Sequence, residues 1–380
     1  GETTLNAMVA GDVGCGKTAV ALIAALLAWE NGYQTIIMAP TLVLAEQHYD
    51  EMAKMASAIG VKFALMTGEV KAKERKEILK GLDEGSIDIL IGTHAVLSPD
   101  LSFKNLGLTI VDEEHRFGAQ QKELLEVFDK AGTHHLSMTA TPIPRSYASS
   151  IYGDSLDLIT IEEMPKGRKP VITSVEHDRE EVYRKLLTEI NAGHQAYVIC
   201  PFIEDSEDEK FKDILSVKAV TDELKTFCKS IGTGIKVECI SGDMKQQDVL
   251  EIIDRFAANE IQILVSTTIV EVGVNVPNAT AIVVMNAERF GLSAMHQLRG
   301  RVGRKGDQGY CYLVSDVSNE KLTAMTLYSS GFKIAEMDLK LRGPGDILGS
   351  EQTGNSKVIE VILRYPNLAA SIRKYFQNKK

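Results

Sequence analysis

Three short stretches hold residues whose types and spacing suit phosphate chemistry. The first is GDVGCGKT, Gly11 to Thr18, which follows a short apolar segment and opens an apolar run ending at Trp29. It matches the pattern GxxxxGK[ST] in the strand, loop and helix setting that the pattern requires. Glycines 11, 14 and 16 let backbone amides turn inward around an anion, with Asp12, Val13 and Cys15 between them, and the helix N-terminus adds partial positive charge. Lys17 then reaches terminal phosphates and the Thr18 hydroxyl can ligate magnesium. All eight residues are assigned to nucleotide binding. Cys15 reads as a tolerated spacer, although a helix N-terminus favours a thiolate.

In the second stretch, Leu108–Val111 runs into Asp112, Glu113, Glu114 and His115. Asp112 is expected to hold magnesium, and Glu113 to orient and deprotonate the attacking water. Acidic residues after a strand often mark only a helix start; a phosphate loop upstream favours catalysis here. The third stretch, QLRGRVGR from Gln297 to Arg304, puts three arginines within six residues, flanked by Arg289 and Lys305. Guanidinium groups suit bidentate phosphate contacts. If two lobes face each other, Arg301 and Arg304 can act as arginine fingers that form on closure. The plain alternative is a solvated basic helix face.

These residues need strands to place them. β-rich runs recur at 35–39, 87–91, 108–111 and 136–139, then at 196–200, 236–240, 261–265, 281–285 and 309–314. Long helical-looking stretches lie between them, so the pattern is alternating α/β. The runs are continuously apolar, as in parallel strands covered on both faces. IDILIGTH (87–94) echoes IQILVSTT (261–268), and IIMAP (36–40) echoes YVICP (197–201). Such an echo predicts two similar lobes. PKGRKP (165–170) breaks both helix and strand patterns and is expected to be the linker. After Val314 the pattern is helical until LRGPGD (341–346).

The chain has 380 residues, 44% apolar and 25% charged, with 10 prolines. That excludes a single small domain and a disordered chain. The longest apolar run, Ala19–Trp29, is 11 residues, too short for a membrane span of about 20. GETTLN lacks the marks of a secretory signal, and the five cysteines form no CxxC pair, so a reducing cytoplasm is expected. A net charge of −10 excludes bulk coating of nucleic acid and leaves local contact. EDSEDE (204–209) reads as a solvated loop, and His134 and His135 as structural, without metal partners at suitable spacing.

In this order the stretches resemble a superfamily 2 helicase or translocase, across essentially the whole chain. GDVGCGKT resembles motif I, APT (39–41) motif Ia, GTH (92–94) motif Ib, DEEH (112–115) motif II and TATP (139–142) motif III. SG (241–242) resembles motif IVa, STTIVEVGVNVPNA (266–279) motif V and QLRGRVGR motif VI. Within the superfamily the likeness is to the RecG family of bacterial branch-migration and fork-reversal helicases, through DEEHRFG, TATPIPR, PKGRKP, NAERFGLSAMHQLRGRVGR and GFKIAEMDLKLRGPGDILGSEQTG. The last block resembles the region after motif VI shared with the transcription-repair coupling factor Mfd.

The resemblance implies two RecA-like parallel-sheet lobes in tandem with a helical C-terminal extension: 1–164 the ATP-binding lobe, 165–318 the second lobe, and 319–380 a helical translocation element and tail. It implies ATP and Mg2+ as cofactors, with Lys17, Glu113, Gln297, Arg301 and Arg304 catalytic, and Thr18 and Asp112 holding the metal. DNA contact in such motors is to the backbone, which suits Thr41, Thr93, Ser241, Thr267 and Thr268. His115, Thr139 and Thr141 are expected to couple hydrolysis to movement. The expected enzyme is a DNA-dependent ATPase that drives Holliday-junction branch migration and reversal of stalled forks, a monomer acting on branched DNA in the bacterial cytoplasm and nucleoid. An Mfd-like translocase and a nucleotide-gated DNA-binding module without turnover are the alternatives. Two departures matter. Asn275 stands where the family usually has Asp, and the chain begins almost at motif I, so a motor portion without the N-terminal wedge and adenine-reading segment is expected.

Overall fold

The computed structural model describes residues 4–114, 117, 132–140, 156–165, 167–201, 216–242, 244–267 and 276–342. Its described residues divide into two compact units, 4–11 with 15–163, and 12–14 with 164–342. In the first, seven strands run β1 (Asn6–Gly11), β2 (Gln34–Met38), β3 (Phe63–Met66), β4 (Ile89–Gly92), β5 (Leu106–Asp112), β6 (His134–Thr139) and β7 (Asp157–Ile161). They pair in the order β3-β4-β2-β5-β6-β1-β7, every pairing parallel. Helices α1 (Lys17–Glu30), α2 (Leu42–Ala56) and α3 (Ala72–Glu84) connect them. Alternate strand residues feed two core layers. Ile37, Ile89 and Ile110 meet Leu22, Ala25 and Met52 of α1 and α2. Ile36, Leu90 and Val111 meet Ile78 and Leu82 of α3. Burial on both faces explains the continuous apolar runs.

The second unit holds β8 (Ile172–Glu176), β9 (Gln195–Ile199), β10 (Val237–Ile240), β11 (Ile263–Ser266), β12 (Ala279–Val284) and β13 (Tyr310–Val314). Their order is β10-β11-β9-β12-β13-β8, again all parallel. Helices α4 (Arg179–Asn191), α5 (Val217–Ser230), α6 (Gln246–Ala257), α7 (Leu292–Arg299), α8 (Glu320–Leu327) and α9 (Gly331–Arg342) follow the strands. Several starts are set by short polar caps: the side chains of Thr41, Asp178, Ser216 and Asn319 accept backbone amides of α2, α4, α5 and α8, which satisfies donors that a helix leaves unpaired.

The tandem parallel sheets and the helices after β13 agree with the expected architecture. The apolar runs named in the sequence omit β3, β7 and β8, all at sheet edges. Asp157–Ile161 on β7 and Ile172–Glu176 on β8 hold no buried residue, so no continuous buried run marks them; FALM of β3 is a continuous apolar run, with Ala64 and Met66 buried, that the sequence reading missed. His134 and His135 are structural: His134 Nδ1 accepts the Leu5 amide at 2.8 Å and His135 Nδ1 lies 3.0 Å from Thr109 Oγ1. All five cysteines are free, and burial pushes the Cys200 and Cys311 thiols up to about 12. Among the described residues no helix is long and apolar enough to cross a membrane.

Candidate nucleotide site and its partner helix

β1 delivers the chain to Gly11, and the loop through Asp12, Val13, Gly14, Cys15 and Gly16 returns it as α1 at Lys17. Gly14 and Gly16 adopt φ of 78° and 103°, left-handed values that only glycine takes without strain. A side chain at Gly11 would meet Cys15 Sγ at 2.6 Å and the Ile161 carbonyl at 3.0 Å, so the loop needs glycine there for close packing. Cys15 fills that space as a buried spacer. α1 has no side-chain cap and no acidic residue in its first turn, which leaves its N-terminal amides and partial positive charge for an anion. Lys17 Nζ donates to the Gly11 carbonyl at 2.7 Å, laying its ammonium across the loop, and Thr18 follows in the same turn.

Asp112 ends β5, 7% exposed. Burial pushes its carboxyl up, but the His48 hydrogen bond and charge, with the Lys17 charge, outweigh this and hold it below the usual carboxylate range. An ionised carboxylate near an ammonium and a hydroxyl-bearing helix start is a hard oxygen donor set that fits magnesium completed by phosphate oxygens and water. Among the described residues no group of three or more His, Cys, Asp or Glu side chains is placed to hold a metal ion.

Glu113 has φ of 49°, an uncommon left-handed conformation for a residue with a side chain. Its amide donates to the Met138 carbonyl at 2.8 Å, and its carboxylate accepts from the Ala140 amide at 3.1 and 3.3 Å and from Thr139 Oγ1 at 3.4 Å. Of the three expected coupling residues, Thr139 thus touches Glu113; His115 and Thr141 lie outside the described residues.

The strand-end hydroxyls are placed as follows. Thr41 caps α2 by accepting the Leu44 amide at 3.5 Å. Thr93 and Thr267 directly follow β4 and β11 and are both buried. Ser241 follows β10, its carbonyl accepting the Met244 amide at 3.2 Å. Thr268 and Asn275 lie outside the described residues, as do EDSEDE and the chain beyond Arg342.

In the second unit, Gln297 is buried on α7, and Arg301 and Arg304 follow in the turn beyond it, half-buried. Arg304 Nε donates to the Gly300 carbonyl at 3.3 Å. Burial pushes the Tyr197 hydroxyl up, and the charges of Arg301 and Arg304 pull it back.

Three features escaped the sequence reading. One is His48, whose ring pairs with Asp112 at 2.8 Å. Another is the Ala140 amide on Glu113. The third is Arg299, 5% exposed, which donates to the carbonyls of Met325, Tyr328 and Ser329 at 2.8, 2.8 and 3.0 Å. Burial pulls its guanidinium below the ordinary range. Lys321 Nζ donates to the Glu288 and Phe290 carbonyls, and Ser293 Oγ to Asp338, so α8 and α9 are hydrogen-bonded to α7 and the turn before it. The one signal for Arg299 was its spacing from Leu292 and Met295 on the inward face of α7.

The two sheets, the first carrying a phosphate loop and a strand-end acid pair, define a two-lobed RecA-like motor of the superfamily 2 helicase class. Residues 2–149 match the DEAD/DEAH box helicase family and 178–306 the helicase conserved C-terminal domain. At 17% identity, Mycobacterium smegmatis Lhr shares the fold over 82% of this chain and 44% of its own, with a TM-score of 0.61. Residues 328–374 match the C-terminal part of domain 3 of the ATP-dependent DNA helicase RecG, and the chain belongs to the RecG family. It is 45% identical over 364 residues to RecG of Aquifex aeolicus, covering 93% of this chain and 45% of that one. Against RecG of Staphylococcus aureus it is 45% identical over 357 residues, covering 92% and 51%. The structure of RecG bound to a three-way DNA junction superposes with a TM-score of 0.74 at 39% identity, over 97% of this chain and 48% of that one. The chain spans about half the length of the curated relatives it matches.

Proposed function

We propose that this chain is the motor of a RecG-type DNA helicase, a DNA-dependent ATPase that remodels branched DNA such as forks and Holliday junctions. The observation that carries the reading is on one sheet: the loop after β1 presents Lys17 and open helix amides, and the ionised Asp112 ends β5 within reach of the Lys17 charge. The loop from Gly11 to Thr18 cradles the phosphates. Asp112 and Thr18 hold magnesium, which supplies charge neutralisation on the phosphates. Glu113 orients and deprotonates the water, and Thr139 holds its carboxylate at the strand end. Gln297, Arg301 and Arg304 stabilise charge on the terminal phosphate during hydrolysis.

Thr41, Thr93, Ser241, Thr267 and Thr268 take the DNA backbone, and His115, Thr139 and Thr141 relay the state of the nucleotide. The lobes are 1–164 and 165–318, with 319–380 as the translocation element. RecG bound to a three-way junction supports branched DNA as the partner. The protein works as a monomer in the bacterial cytoplasm, on the nucleoid when bound to DNA.

Steady-state ATP hydrolysis, alone and with forked, duplex and single-stranded DNA, tests the reading. Stimulation by forked DNA, lost in Lys17→Ala, is the expected result. Turnover that persists in Lys17→Ala would overturn it.

A further inference from the structure

His48 lies on the inward stripe of α2 with Leu42, Ala45, Met52 and Ala56, a position that packing alone gives to an aliphatic residue. It is 4% exposed. Its Nε2 sits 2.8 Å from Asp112 Oδ2. Its Nδ1 is buried with no hydrogen-bond partner among the described residues. A core imidazole with half its polar atoms unsatisfied is unfavourable, and the one hydrogen bond that offsets this goes to Asp112.

The second unit provides an internal control. α5 links β9 to β10 as α2 links β2 to β3. Its buried residues Val217, Val220, Leu224 and Cys228 repeat the spacing of Ala45, His48, Met52 and Ala56. The buried residues of α5, Thr221 included, hold no histidine. β12 holds the place of β5 in its sheet and runs on into Met285 where β5 ends in Asp112. Val220 and Met285 share one apolar cluster. Where the strand end carries no acid, the helix carries no histidine.

We propose that His48 is a positioning residue for Asp112. Its Nε2–H holds one carboxylate oxygen, so that the orientation of the group toward magnesium is set before nucleotide arrives. The proposal rests on the assignment of Asp112 to magnesium.

The test is the magnesium dependence of binding of a fluorescent ATP analogue to the full chain, for wild type, Asp112→Asn, His48→Leu and His48→Gln. Asp112→Asn and His48→Leu are each expected to raise the half-saturating magnesium concentration by about 10-fold or more, as loss of a partner behind a metal ligand does. His48→Gln, whose amide can donate from the place of Nε2, stays near wild type. In EDTA, His48→Leu and His48→Gln bind the analogue as wild type does. An unshifted His48→Leu beside a shifted Asp112→Asn makes His48 a core residue only and overturns the proposal. An unshifted Asp112→Asn removes the magnesium assignment, and the proposal with it. If His48→Leu does not fold, His48→Asn, too short to donate from the Nε2 position, replaces it in the same titration; equal values for Asn and Gln at 48 overturn the proposal.

Discussion

The two units are one frame built twice. Reading β10-β11-β9-β12-β13-β8 against β3-β4-β2-β5-β6-β1 matches every strand, with β7 an extra edge on the first sheet. The match extends to single atoms. Gln34, at the start of β2, donates from Nε2 to the carbonyls of Leu82 and Ile87; Gln195, at the start of β9, donates to those of Phe256 and Ile261. The amide of Lys62 binds the side chain of Asp88, and that of Lys236 the side chain of Gln262. Glu113 and Asn286 follow equivalent strands with φ of 49° and 48°. What differs is the treatment of the first helix. α1 starts from a left-handed glycine with no acid in its first turn. α4 is capped by Asp178, which takes the amides of Glu180 and Glu181 at 2.9 and 3.4 Å. The second unit thus fills with its own carboxylate the place that the first leaves open to a phosphate. The frame is common property; the chemistry lies in what ends the strands.

This comparison predicts which changes matter in one unit only. Arg304→Ala should slow DNA-stimulated hydrolysis by about 10³-fold or more, as loss of an arginine finger does, with nucleotide affinity retained; stopped-flow turnover and equilibrium binding separate the two. Glu113→Gln should keep ATP binding and cut turnover by about 10²–10⁴-fold, the usual share of a general base. Its counterpart change, Asn286→Gly, keeps the left-handed backbone and should leave turnover near wild type. A loss in Asn286→Gly as large as in Glu113→Gln would break the separation of frame from chemistry.

The parts legible in sequence were those whose signal is local. Gly11–Thr18 and Asp112–Glu113 are contiguous, and QTIIM of β2 or ATAIVV of β12 is buried throughout, so each appears as an unbroken pattern. DLITI of β7 and ITSVE of β8 have the β-branched composition of strands, but as edge strands they hold no buried residue, and no unbroken apolar run sets them apart. His48 was illegible because its role depends on a partner 64 residues away, brought near by the crossing of α2 over the sheet. Arg299 reads like its neighbours Arg301 and Arg304, yet its acceptors are main-chain carbonyls around the end of α8, which leave no mark in the sequence. The echo of 36–40 in 197–201 and of 87–94 in 261–268 was legible for the opposite reason. Those strands are interior to both sheets, where burial on two faces constrains side chains most.

The remaining predictions concern the shared frame and should act alike on both units until their packing differs. Gln34→Leu and Gln195→Leu each remove the side-chain donor to two carbonyls, of which those of Leu82 and Phe256 keep main-chain donors, and should destabilise their own unit by about 1–3 kcal/mol, read as separate shifts in thermal or denaturant unfolding; a shift in one unit alone would show that the clamps are not equivalent. At the ends of β4 and β11 the units part. A side chain at Gly92 would collide with the Met66 carbonyl and sit 2.6 Å from Val96, so Gly92→Ala should cost about 1–3 kcal/mol through overpacking. Ser266 holds the corresponding place with a buried hydroxyl that has no partner among the described residues. Removing that hydroxyl in Ser266→Ala deletes an unpaired polar atom and should leave stability unchanged or slightly raised. A large destabilisation by Ser266→Ala would mean that this turn of the second unit depends on its hydroxyl for packing.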